Sequence, residues 1–388
     1  MTDLHTASSP AASPDVIDTL AGLASTDYAW QVRQARPAVI QATQACDDLI
    51  FSAALSGGLS VAERLDAARA VALANALDGL ARHYADRLNA QGEPVQTTGT
   101  SARSQAIAHF SASVASNPLS ADREALAALR NHGLTVPEIV MLAQLVGYVA
   151  YQGRLLAGVR ALAELGPAGE ATGLGPAGGI SDSFVHPANL PAPGQALDIN
   201  GYTSRTLDWK AWIPVVDPQT ATPEQNAILD ASHPKARSSD FYLLLAHQPE
   251  VLAQRSAAFN AIMYSSGGLA RAERELATAA VSRVNGCVYC LSVHAQRFEQ
   301  LAKRNDVIAQ LFADPATAGT NARERAIIQF TTVLTQQPAQ TGAADLQALR
   351  QAGLSDTEIL DALHASALFA WANRLMLNLG EAVYPQAA

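Results

Sequence analysis

The sequence predicts an all-α protein built from two similar helical halves joined by a Gly/Pro-rich linker, and three observations carry that expectation. Long stretches are rich in Ala and Leu at helical spacing, as in SVAERLDAARAVALANALDGLARHYADRL from Ser60, while the period-two alternation of strands is scarce. A segment of different character, GPAGEATGLGPAGG followed by HPANLPAPGQ, divides the chain. The two halves also match each other at many positions in the same order, Gly, Pro and Arg positions included.

The order of segments follows. Residues 1–15 are polar and Pro/Ser-rich and read as a disordered lead-in. Residues 16–165 form the first helical unit, 166–200 the linker and 201–388 the second unit. The second opens with TSRTLDWKAWIPVVDP, whose tryptophans and prolines suggest an extended arm packed by Trp209 and Trp212. Within the repeat, GGLSVAERLDAARAVALAN from Gly57 matches GGLARAERELATAAVSRVN from Gly267, an offset of 210. Further on the offset is 220: Ala102-Arg103, Ala106-Ile107, Phe110 and Pro118 fall on Ala322-Arg323, Ala326-Ile327, Phe330 and Pro338. LRNHGLTVPEI from Leu129 then matches LRQAGLSDTEI from Leu349, and Arg154-Leu155 falls on Arg374-Leu375. The change of offset puts about ten extra residues into the second copy, between about 295 and 320.

Composition narrows the class. Hydrophobic residues make up 49% and charged residues 16% of the 388, which suits a packed core rather than disorder. The net charge is −9 with scattered Lys and Arg, so no nucleic-acid partner is expected. Three cysteines make no disulfide framework and suit a reducing cytoplasm. The N-terminus lacks the apolar stretch of a signal peptide, and no apolar run approaches the ~20 residues of a membrane span. The expectation is a cytoplasmic protein without a membrane partner.

Chemistry concentrates in ELATAAVSRVNGCVYCLSVH, Glu275 to His294. Leu276 to Arg283 favours helix, Asn285-Gly286 interrupts it, and a second helix can start at Cys287. Cys287 and Cys290 then share a face, as do Cys290 and His294 at i and i+4. A cysteine in the first helical turn meets the positive end of the helix dipole, which favours its thiolate. His294 can accept the proton of the second thiol, and Glu275 on the preceding helix can orient the imidazole. A closed zinc site would need four ligands, and the third cysteine, Cys46, stands far off in the other half. A structural disulfide across so short a loop constrains little unfolded-state entropy. The set reads as a dithiol redox centre with its own proton relay.

The repeat sharpens this. Cys287, Cys290, Glu275 and His294 correspond to Leu77, Leu80, Leu65 and Tyr84 in the first copy, which is therefore expected to lack dithiol chemistry and to act as a packing partner. A one-residue slip would put His83 at the His294 position; alone it reads as structural. Cys46, in QACDDL, reads as a small buried apolar residue.

The pattern E-x(11)-C-x-x-C-x(3)-H resembles the signature of the alkylhydroperoxidase (AhpD-like) branch of the carboxymuconolactone decarboxylase superfamily. GGLARAERELA and FAWANRL look like its peroxidase-related members, and the resemblance covers about residues 200–388. It implies two tandem AhpD-like domains, the first without its cysteines. It implies Cys287 and Cys290 as the redox pair, with Cys290 attacking a hydroperoxide and Cys287 resolving, and His294 with Glu275 as the relay. No bound cofactor is implied; an external lipoyl or thioredoxin-like dithiol would restore the pair, with a peroxiredoxin as a further electron acceptor. Family members self-associate, so a homo-oligomer is expected. Some carry a histidine just before the second cysteine, where this chain has Tyr289. FAWANRLMLNLG reads as the last core helix, with Asn373 or Arg374 in reach of the redox helix and His364 structural. Two alternatives differ in class: a non-catalytic redox sensor or binding protein, and a decarboxylase or lactone-processing enzyme, whose chemistry needs no dithiol.

Overall fold

The sequence repeat reappears as a repeat of helices. A computed structural model of the chain describes residues 15–55, 58–92, 101–168 and 187–384. The first half contains α1 (Val16–Ala21), α2 (Tyr28–Arg33), α3 (Pro37–Ile50), α4 (Val61–Ala74), α5 (Asp78–Ala90), α6 (Ala102–Ser116), α7 (Arg123–Asn131) and α8 (Val136–Leu165). The second contains α9 (Pro223–Ser232), α10 (Asp240–Leu245), α11 (Pro249–Met263), α12 (Arg271–Val284), α13 (Val288–Ala302), α14 (Asp306–Ala313), α15 (Ala322–Gln336), α16 (Ala343–Gln351) and α17 (Asp356–Asn378). The protein is all-α, with only short strands besides.

Ser60 and Glu63, Thr135 and Glu138, and Ser355 and Glu358 form reciprocal capping boxes that satisfy the free N–H groups of α4, α8 and α17. Arg103 ties Glu63 to Glu138 and donates to the Gly133 carbonyl. Arg323 does the same with Glu273, Glu358 and Gly353. The same ion network thus locks the same three elements in each half. The extra residues of the second half include α14, whose Val307, Ile308, Leu311 and Phe312 close a second small core with Leu276, Leu291 and Phe298.

The halves share one apolar core. Helix α8 packs along α17 and α3 along α11, so equivalent helices meet each other. Close approach of α8 to α17 needs glycine: a Cβ on Gly147 would lie 2.1 Å from Trp371 Cδ1, and one on Gly158 2.2 Å from Leu363 Cδ1. The Trp371 Nε1–H donates to Gln144 across the crossing at 2.9 Å. Arginines are exchanged as well. Arg374 donates to the carbonyls of Val114 and Ala115 at the end of α6, and Arg154 to that of Thr335 at the end of α15. Each buried guanidinium meets the negative end of a helix in the other half. Burial holds Arg154 down to about 10, still charged at neutral pH.

Helix α8 corrects one sequence expectation. It is long and apolar enough to cross a membrane by length and composition, but its apolar stretch is wholly buried inside the protein. A helix covered on all sides by neighbours needs no polar face.

A carboxylate also joins the halves. Asp361 on α17 accepts from Arg36 Nε at 2.6 Å and Arg274 Nη2 at 2.8 Å, and from the Leu269 N–H. Gly268, at φ +66°, lets the backbone pass: a Cβ there would sit 2.2 Å from both Arg36 and Asp361. Burial alone would raise Asp361, but Arg36 and Arg274 hold it below the usual carboxylate range.

The expected arm is present. Strand β1 (Asp198–Ile199) pairs with β2 (Tyr202–Thr203), and β3 (Asp208–Ala211) runs antiparallel to the C-terminal β4 (Gly380–Val383). Trp209 is buried and donates to the Met376 carbonyl at 3.0 Å, whereas Trp212 is half-buried under the Arg123 guanidinium. The lead-in and most of the 166–200 linker lie outside the described residues; residues 187–200 carry a single 3-10 turn and β1.

Two outcomes are expected. Gly147→Val should lower the urea-unfolding free energy by about 1–3 kcal/mol or more, because neither helix can yield at the Trp371 ring. Asp361→Ala should cost about 3–5 kcal/mol by leaving buried guanidinium groups unpaired. Because the folded-state value of Asp361 is depressed, its contribution is complete above about pH 4 and lost as pH falls through that value. Thermal melts of Asp361→Asn should therefore show a flatter decline in acid than the parent.

Candidate active site

The thiols sit where α12 ends and α13 begins. Asn285 closes α12, and Gly286 turns the chain at φ +73°. A Cβ on Gly286 would meet Leu119 of the first half at 3.0 Å. The Cys287 N–H returns to the Ser282 carbonyl at 2.8 Å, so Cys287 becomes the residue before α13 and Cys290 lies in its first turn. The C-x-x-C thus straddles the start of the helix.

Both thiols are free and buried, Cys287 at 1% and Cys290 at 5% exposure. Burial pushes the Cys287 thiol well above its ordinary value, the neighbouring Cys290 adds to this, and hydrogen bonding from Asn373 opposes it. Cys287, the residue before the helix, is thus pushed toward its thiol form by burial.

Glu275 and His294 meet as expected from their spacing. His294 Nδ1 lies 2.6 Å from Glu275 Oε2, with both side chains buried. A carboxylate accepts, so Nδ1 carries a proton, and in the neutral ring Nε2 presents its lone pair. The imidazole stands edge-on to Phe369, ring centres 4.4 Å apart, which fixes its plane. On α13 it stands one turn beyond Cys290.

Polar support comes from α17. Asn373 accepts from Asn285 Nδ2 at 3.0 Å and donates to Ser282 Oγ at 3.1 Å, holding the turn that presents Cys287. Of the two residues expected to reach the redox helix, Asn373 does. Arg374 points to the end of α6 instead, because its guanidinium is taken up by the carbonyls there. Sequence reasoning missed Asn285 and Ser282; their polarity on an otherwise Ala-rich helix end was the available signal. His364 is buried, and burial holds it down to about 3, a neutral ring in the core. Tyr289 is half-buried beside both thiols, and burial raises it to about 12. Phe259 packs against Tyr264 and Phe369, giving the site an aromatic wall.

The first half holds something else at the equivalent place. Leu77 stands before α5 as Cys287 does before α13, with Leu65 and Leu80 buried. Tyr84, not His83, occupies the His294 position. Its hydroxyl donates to Gln152, while Asp47 accepts from Tyr148, Gln152 and Arg87. Burial raises Asp47 against the pull of Arg87. His83 packs edge-on to Tyr84 and is lowered to about 4, chiefly by burial. Cys46 is buried at 1% exposure, its thiol pushed up to about 12.

A family model described as the carboxymuconolactone decarboxylase family matches residues 249–333, from α11 into α15. No curated protein matches the chain. Among solved structures, the chain is similar to the alkylhydroperoxidase AhpD core of an uncharacterized peroxidase-related protein from Ralstonia eutropha JMP134. Identity is 26% and TM-score 0.37, covering 44% of this chain and 88% of that one. An uncharacterized peroxidase-related protein from Silicibacter sp. TM1040 is similar at 26% identity and TM-score 0.36, covering 42% and 84%.

The buried Cys287 makes a prediction. With Cys290→Ser, iodoacetamide labelling of Cys287 should stay slow at neutral pH and accelerate only as the pH passes 9.0, the ordinary thiol value. Labelling that levels off near pH 7 would contradict the burial account. The stretch that the carboxymuconolactone decarboxylase family model matches, residues 249–333, holds both thiols, Glu275 and His294.

Proposed function

We propose that the second half is a thiol-dependent hydroperoxide reductase. The observation that carries this is the buried His294–Glu275 hydrogen bond one helical turn from Cys290 in a C-x-x-C. His294 Nε2, directly or through a water, takes the Cys290 proton. The thiolate attacks the terminal oxygen of the hydroperoxide; the O–O bond breaks, the alkoxide takes a proton and leaves as alcohol, and Cys290 becomes a sulfenic acid. The Cys287 sulfur then displaces hydroxide, which leaves as water, and the S–S bond forms. An external dithiol of lipoyl or thioredoxin-like type reduces it by exchange and is itself oxidised. The first half, with leucines at the thiol positions, serves as a non-redox packing partner.

One observation favours a second reading, a redox sensor. Both thiols are nearly closed to solvent, and Cys287 resists ionisation, which suits a single slow oxidation. Peroxide consumption by the reduced protein with dihydrolipoamide separates the two. Many equivalents consumed, with turnover falling at least a hundredfold in Cys290→Ser, is the expected outcome. One equivalent per chain, or full turnover in Cys290→Ser, would sink the reductase reading.

A further inference from the structure

Asn373, Ser282 and Asn285 are all buried, so the polar atoms they carry need partners inside the protein. The Ser282 hydroxyl has one proton, and it goes to the Thr278 carbonyl at 2.8 Å. Ser282 Oγ therefore accepts from Asn373, which turns Asn373 Nδ2 toward it at 3.1 Å. Asn373 Oδ1 in turn accepts from Asn285 Nδ2 at 3.0 Å. The amide is thus held at both ends and its orientation is fixed. An amide nitrogen carries two protons, so one N–H is left over. It serves the hydrogen bond that Asn373 makes to the Cys287 sulfur. Cys287 is also held through its backbone, whose N–H meets the Ser282 carbonyl at 2.8 Å.

The first half shows what this position faces. At the offset of 220 that lays Arg154 on Arg374, Gly153 falls on Asn373. A Cβ on Gly153 would lie 2.4 Å from Leu77 Cδ1 and 3.7 Å from Leu80 Cδ2. Leu77 and Leu80 stand where the second half has Cys287 and Cys290, so a side chain at this position points at the pair and meets its first member first. The polar partners differ together. Ala72 stands for Ser282, and Asn75, which falls on Asn285, donates back to the Val71 carbonyl at 2.9 Å. Opposite Leu77 the central helix offers a glycine; opposite Cys287 it offers an amide. An apolar side chain would fill the space beside a cysteine without needing partners, whereas an amide adds a donor for the sulfur.

We infer that Asn373 is the positioning residue of the dithiol centre, whose amide holds the Cys287 sulfur where it closes on Cys290. The closing step is a displacement at the Cys290 sulfur. The Cys287 S–H bond and the bond from the Cys290 sulfur to its leaving group break, and the S–S bond forms. The Cys287 proton and the leaving group depart; from a sulfenic acid the leaving group is hydroxide, and water is released. As the proton goes, the Asn373 N–H favours the charge that builds on the Cys287 sulfur, in a place from which water is excluded. The inference rests on the reading of the two thiols as a redox pair, and it gives α17 a part in closing the disulfide.

The test uses the full chain carrying Cys46→Ser, in which only the pair can react. The reduced protein is mixed with an equimolar amount of dithiodipyridine, without peroxide. Attack by one thiol releases a first thiopyridone and leaves a mixed disulfide; closing by the other releases a second. Adding Cys287→Ser, which allows the first release alone, marks the two phases. Asn373→Ala should slow the second release relative to the first by about tenfold. An unchanged ratio overturns the inference, and so does equal slowing of both releases, the mark of a site that has merely loosened. If Asn373→Ala does not fold, Ser282→Ala decides. It leaves the amide held at one end, and the second release should then slow about threefold relative to the first; a parent-like ratio overturns the inference. Slower closing in a protein that turns over no peroxide upholds Asn373 and sinks only the reductase reading. Peroxide turnover with an unchanged ratio sinks Asn373 and leaves that reading standing.

Discussion

The crossing of α8 and α17, with an arginine handed from each half to a helix end in the other, is the constraint on which the remaining packing depends. Arg374 and Arg154 are buried cations whose charge is met by helix carbonyls rather than by carboxylates. Such a site works only when both halves are in place, because an isolated half would leave a guanidinium facing apolar surface with nothing to accept from it. Glycines at 147 and 158 bring the helices close enough for the exchange, and Trp371 fills the resulting contact. Specificity of pairing comes from these few polar groups; most of the stabilisation comes from the shared apolar core around them.

The same arrangement shapes the thiol site. The turn at Gly286 is backed by Leu119 of the first half, and the network holding it runs through Asn373 on the central helix. The first half therefore contributes walls and not reactive groups. Its own equivalent position is closed by the Tyr84, Gln152 and Asp47 network, in which each polar group has a partner and no thiol is left to react. Where the second half has thiols, the first has a satisfied polar core, the condition under which buried polar groups are tolerated.

Desolvation is the largest influence on the ionisable groups shifted in and around the site. It drives Cys287 toward the thiol form, His364 toward the neutral ring and Tyr289 above its ordinary value. Only groups given a specific partner escape this, as Asp361 does between two arginines.

Periodicity, the repeat and the C-x-x-C spacing determined by themselves the all-α class, the paired halves, the place of the extra residues and the meeting of Glu275 with His294. Each depends on local chain geometry: helical spacing, capping residues and an Asn-Gly break act within a few residues. The tertiary structure alone decided which of Asn373 and Arg374 turns toward the thiols, that α8 is a buried core helix, and that Cys287 is pushed toward its neutral form. These outcomes depend on which surfaces are removed from water and what faces them there, and residues far apart in the chain set both.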